Sequence, residues 1–146
     1  VLVENREEDK TDDMWDVSKL PNPPTYEKKL AQSEGLGVDA QTSEFTPDGR
    51  YAYLIMRGII DPEKPEDASR LDVLDVMEGS NDYLSIVNHI ELPENCRAST
   101  GDFSNDGRYF FVNCQNRNLV AVVDNQAQQV VTTVEVGESP RGIVVR

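Results

Sequence analysis

Apolar residues alternate with polar ones in short runs along this chain, and each run closes in a cluster of turn-forming residues. The clearest stretch begins at Arg97. RASTGDF (97–103) leads into Ser104-Asn105-Asp106-Gly107, where Asn, Asp and Gly tolerate the positive φ of a tight hairpin. RYFFVNC (108–114) returns with aromatic and β-branched side chains that favour a strand. A polar turn at 115–118 precedes LVAVVD (119–124), and another at 125–128 precedes QVVTTVEVG (129–137). The period of two predicts four short strands in succession.

The pattern then repeats. FTPDGRYAY (45–53) matches FSNDGRYFF (103–111), LDVLD (71–75) matches VAVVD (120–124), and SPRGIVVR (139–146) opens a further copy. Phe103 to its counterpart Val145 spans the ~40–45 residues of a four-stranded propeller blade. The earlier copy is longer because loops are inserted. Its strands are expected at 41–45, 51–57, 71–76 and 83–92, with a Pro- and acid-rich loop at 58–69 that cannot hold a central strand. VLVEN (1–5) aligns with AVVDN (121–125), which predicts a third strand, an acidic insertion at 6–24 and a fourth strand at 25–34.

The expected architecture is all-β: a β-propeller segment of four-stranded antiparallel blades. It comprises a partial blade (1–40), a blade at 41–96, a blade at 97–138 and the first strand of another at 139–146. That makes two complete blades plus parts of two more. Closed rings take roughly 4–8 blades, so the chain is expected to be a segment, or to be completed by other chains.

FSNDGRYFFVNC, LVAVVD and VGESPRGI together resemble the YVTN family of β-propeller repeats. Phe111-Val112-Asn113-Cys114 occupies the YVTN slot, Val122-Val123-Asp124 the VID slot, and Val136-Gly137 with Pro140-Arg141-Gly142-Ile143 the closing motif. In the earlier copy Tyr53-Leu54-Ile55-Met56 replaces YVTN, and Pro93 stands near the usual Gly. The resemblance implies a propeller of the kind found in surface and periplasmic proteins, lactonase-like enzymes and the propeller domains of reductases. A fold of this sort hosts many activities, so function has to come from a site.

Composition narrows the partners. The formal net charge is −13, from 27 acidic and 14 basic residues, which argues against nucleic acid or an anionic membrane surface. No apolar run approaches the ~20 residues of a spanning helix. The expected partner is another protein, or the remaining blades of the same propeller.

Candidate chemistry is sparse. His89 is the single histidine and falls in an outer strand, so it is expected as a solvated edge residue and cannot build a His-based metal centre. No haem-attachment, phosphate-loop or nucleophile-elbow motif occurs, so no catalytic residue, metal ligand or cofactor is assigned to this segment. Whether the whole propeller carries a cofactor is left open. Aligning the first strands puts Gln41, Ser99 and Arg141 in one column facing the central channel, with Arg97 near the same rim. The two arginines suit a carboxylate or other anion, or satisfy neighbouring loop groups. Cys96 and Cys114 fall nearly opposite each other across the hairpin, as a disulfide or as two small buried hydrophobes should the register slip. A disulfide favours the periplasm or cell surface. Trp15, alone in a charged insertion, is expected to anchor that loop on the body or on another chain.

The expected role is a binding or assembly scaffold within an exported propeller, with rim loops 6–24 and 58–69 making partner contacts. The competing expectation is part of a redox or lactonase-like enzyme whose catalytic groups lie on other blades or chains.

Overall fold

The computed structural model describes residues 2–4, 11–16, 19–31, 36–59, 61, 63–64 and 68–146. Among the described residues, eleven strands form three antiparallel sheets. The first contains β1 (Leu2–Glu4), β2 (Thr11–Asp16) and β3 (Thr25–Ala31) in that order. The second runs β4 (Ala40–Phe45), β5 (Tyr51–Met56), β6 (Arg70–Asp75), β7 (Ile86–Glu91). The third runs β8 (Ala98–Phe103), β9 (Tyr109–Cys114), β10 (Leu119–Asp124), β11 (Gln129–Glu135). Within each sheet every strand pairs with the next in sequence, and β4 lies against both β1 and β8. These are propeller blades, two of them complete.

The hairpin turns explain why the repeats fold alike. Thr46 Oγ donates to Asp48 Oδ1 at 2.6 Å and accepts from Tyr51 N at 3.0 Å. Ser104 makes the same bonds, to Asp106 at 2.6 Å and from Tyr109 N at 2.9 Å. Gly49 and Gly107 take φ of +71° and +69°, the left-handed position that a β-carbon disfavours. The third strands end alike as well. Asp124 Oδ1 caps the backbone N–H groups of Gln126 and Ala127, each at 2.9 Å, while Asp75 takes Met77 N and Ser80 Oγ at 2.9 Å.

A register shift marks the same place in all three sheets. It falls between Met14 and Trp15, between Val73 and Leu74, and between Val122 and Val123. The fourth strands therefore carry one extra residue each: Glu27, Val87 and Val131. The matching bulges align TDDMWD with RLDVLD and LVAVVD. β2 is thus the third strand of its blade, and β1 the second. This corrects the expected alignment of VLVEN as a third strand and of 6–24 as wholly an insertion. Acidic residues at the ends of β2 hid its strand pattern. Parts of both expected rim loops, 6–10, 17–18, 60, 62 and 65–67, lie outside the described residues.

The cores lie between sheets. Tyr53, Ile55, Leu71, Val73 and Ile90 of the middle sheet meet Phe103, Phe110, Val112, Ala121 and Val123 of the third. Tyr53, Phe103 and Phe110 form an aromatic triangle with centroids 4.6–5.3 Å apart. Gly101 makes room for it: an added β-carbon would stand 2.2 Å from Phe110 Cζ. A second cluster, with Leu30, Leu36, Ala52, Leu54, Met56 and Leu74, joins the first sheet to the middle one. Two aromatic residues of the repeats are less covered. Phe111 is half-buried and Phe45 is 47% exposed. Phe45 is the counterpart of Phe103 in the repeat.

Residues 139–146 form no strand. A first strand bonds only to the second strand of its own blade, and no such partner is among the described residues. The segment is instead tied to β8: Thr100 Oγ donates to the Arg141 carbonyl at 3.0 Å, and Val145 N donates to Asp102 Oδ2 at 2.8 Å.

Candidate functional site

The channel-side ends of the innermost strands β4 and β8 are built the same way. In the β4–β5 pair, Ala40 faces Met56 and Thr42 faces Ile55, so Gln41 is the extra residue of a bulge. The β8–β9 pair shifts at the same place, after Ala98 has faced Cys114, and Ser99 is the counterpart of Gln41. Just before each bulge a residue other than glycine takes positive φ: Asp39 at 57°, Arg97 at 53°, and Ser139 at 47° at the matching place in the last segment. Backbone there is strained, and such strain collects where a side chain must be aimed. The carbonyls of Asp39 and Arg97 still find donors, Arg57 N at 2.9 Å and Gln115 N at 3.3 Å.

Four side chains join at this rim. Gln41 Nε2 donates to Asp39 Oδ1 at 2.8 Å. Arg57 spans two blades, with Nη2 donating to Gln115 Oε1 at 3.1 Å and Nη1 standing 3.9 Å from Asp39 Oδ2. Two buried polar atoms here lack partners among the described residues: Arg57 Nε and Ser99 Oγ. Ser99 is 7% exposed, so its hydroxyl is both desolvated and unused. Arg97 and Arg141 are exposed, and Arg141 takes part through its carbonyl. Sequence alignment put Gln41, Ser99 and Arg141 in one column with Arg97 near it, and the structure places Gln41 and Ser99 at matching bulges. The alignment missed Asp39, Arg57 and Gln115, which come from strand ends in different blades.

Cys96 and Cys114 are joined as a disulfide with a Cα–Cα distance of 4.3 Å, both fully buried. They occupy the positions of Val38 and Met56 in the middle sheet, and the bond ties the connection carrying Arg97 to the end of β9. Trp15 stands in β2, at the register position of Leu74 and Val123, with its ring edge-on to Tyr26 at 5.3 Å. It is therefore a sheet residue, not a loop residue.

His89 stands exposed in the edge strand β7, as expected. Its side chain is 39% exposed, and Nδ1 lies 2.8 Å from Oδ1 of the fully buried Asp72. Asp72 also accepts Arg70 Nε at 2.7 Å and Gly37 N at 2.5 Å, fixing the connection between the first two sheets. Gly37 is needed there because a β-carbon would meet Met56 Cγ at 2.5 Å. No cluster of His, Cys, Asp and Glu suited to a metal ion occurs among the described residues.

At the opposite ends of the strands, burial and then the Asp124 charge push the Tyr53 hydroxyl well above its ordinary pKa. It donates to Asn125 Oδ1 at 2.7 Å. Hydrogen bonds from Thr46 and then the Arg50 backbone hold Asp48 below the usual carboxylate value, and Ser104 and Arg108 do the same for Asp106.

No protein-family model and no curated protein matches the chain. Solved structures do. Hydrazine synthase of Kuenenia stuttgartiensis is 18% identical with a TM-score of 0.66, covering 90% of this chain and 32% of that one. A proposed 6-phosphogluconolactonase of Bacteroides fragilis is 16% identical with a TM-score of 0.64, covering 90% and 35%. Another from Bacteroides uniformis is 14% identical with a TM-score of 0.65, covering 90% and 36%. The likeness is one of fold, and this chain spans about a third of each of those chains.

Proposed function

We propose that these residues form the binding rim of an exported, YVTN-like propeller that acts as a binding or assembly scaffold. The observation that carries this reading is the rim cluster of Asp39, Gln41, Arg57 and Gln115, with Ser99 Oγ and Arg57 Nε left unpartnered beside it. Guanidinium and amide groups keep one protonation state near neutral pH, so they hold a ligand or partner instead of moving protons. The strained, bulged backbone under Gln41 and Ser99 fixes where those groups point. The disulfide supports export, since such bonds persist in oxidising compartments. The FxxDGRY turns and the strand-ending Asp75 and Asp124 support the YVTN likeness. The remaining blades or a separate protein would then meet the rim.

A lactonase-like reading rests on the likeness to the two proposed 6-phosphogluconolactonases. It would place the catalytic groups outside residues 1–146. The two readings part in the full-length protein. A photo-crosslinker at Arg97 is expected to give a discrete product in the source cells, and one at Gly49, at the other end of the strands, none. Hydrolysis of 6-phosphogluconolactone by the purified protein above the buffer rate, without a rim-specific crosslink, would overturn the scaffold reading.

A further inference from the structure

A cleft of about 600 Å³ lies at the turn ends of the strands, away from the rim, and it is shared by the two complete blades. Asp48, Arg50 and Tyr51 line it from one blade; Gly107, Arg108, Asn125, Gln126 and Gln128 line it from the other. The two hairpin turns touch, since a β-carbon on Gly107 would stand 3.1 Å from Pro47 Cγ. That contact brings the arginines of both DGRY repeats to one cleft.

Their surroundings are unusual for this molecule. Acidic residues outnumber basic ones 27 to 14, yet neither guanidinium has a hydrogen bond or ion pair among the described residues. Each lies instead over the tyrosine that follows it, with Arg50 4.9 Å from the Tyr51 centroid and Arg108 5.0 Å from that of Tyr109. Stacking over a ring orients the planar fork and leaves its N–H edge free to donate. Asp48 is the one carboxylate on the cleft, and its Oδ1 is already taken by Thr46 Oγ and Arg50 N at 2.6 and 3.1 Å. Gln128 gives its oxygen to Asn88 Nδ2 at 2.7 Å, which turns its own amide hydrogens outward as donors. Asn125 is committed to Tyr53 and the Gly107 carbonyl at 2.7 and 3.0 Å, and serves as a fixed wall.

We propose that this cleft is an oxyanion site for a small ligand bearing a phosphate or paired carboxylates, held between Arg50 and Arg108 with Gln128 as a further donor. Two like charges facing one cleft from different blades favour a bridging anion, and bidentate guanidinium contacts with oxyanions are among the stronger polar interactions. Because the ligand bridges blades, both arginines contribute to its affinity. The site is separate from the rim and stands or falls independently of the function proposed there.

The test titrates the full chain with inorganic phosphate and, separately, with citrate, in low-salt buffer at neutral pH. Calorimetry gives the affinity, and amide NMR gives the location. Saturable 1:1 binding of at least one probe is expected, with shifts at Gly107 and Gln128. A preference for phosphate points to a phosphorylated ligand, and a preference for citrate to a carboxylate. Arg50→Gln or Arg108→Gln should weaken binding by about tenfold, and the double variant should abolish it. Arg108→Lys keeps the charge and guards against a folding defect, with a partial loss expected. Arg57→Gln, at the rim, should leave binding unchanged. No saturable binding by either probe, or binding that survives the double variant, overturns the proposal.

Discussion

Asp48 and Asp106 show how a single side chain sets a turn and leaves a pH signature. Each accepts a hydroxyl and a backbone N–H, and each is held below the usual carboxylate value by those bonds, the hydroxyl first. A folded-state pKa below the unfolded one contributes stability that is fully present above the unfolded value. It is lost as pH falls through the folded value. The urea midpoint should therefore drop below about pH 4. In Thr46→Val/Ser104→Ala the overall midpoint should be lower but its acid slope shallower, which a series of unfolding curves from pH 6 to 2 would check. An unchanged slope would remove these carboxylates as the cause. The turns were legible because Thr/Ser-x-Asp-Gly is a local signal. The left-handed φ at Asp39, Arg97 and Ser139 was not, because Arg and Ser carry no such preference and the one Asp has is shared by the many Asp residues elsewhere in the chain.

Among the elements, β2 was the hardest to recognise. TDDMWD holds two apolar residues between acids, so alternation alone gives no strand, and the repeated Asp that ends LDVLD and VAVVD was the available clue. β8 and β9 were legible because their turn and aromatic residues agree. The rim was legible only along one strand column. Arg57 and Gln115 meet across blades at a distance no sequence spacing encodes. The disulfide holds that rim from below, across a sequence separation of 18. Closing a loop of that size contributes about 3 kcal/mol on the chain-entropy account. Cys96→Ala/Cys114→Ala should lose roughly that amount in urea unfolding. Adding reductant should destabilise the parent chain and leave the double variant unmoved; equal sensitivity in both would exclude the bond as the source.

At the scale of the molecule, stability comes from faces shared between neighbouring blades, as in other repeat architectures. The aromatic cluster on one side of the middle sheet and the aliphatic one on the other are built from different strands. The outward side of the third sheet is less covered, with Val131, Val134 and Val136 of its last strand region 39–50% exposed. Phe45 marks a similar opening toward the first sheet, at 47%.

The middle sheet has a core cluster on each face, and that has a consequence in time. Amide hydrogens exchange with solvent only when the sheet around them opens, and opening costs most where two interfaces must part together. In heavy water, the amides of β5 and β6, each with five successive buried residues, should be the last to take up deuterium. Those of β11 and the residues beyond it should be among the first. Mass-resolved exchange would read this order directly, and uniform uptake across all three sheets would mean that they open as one.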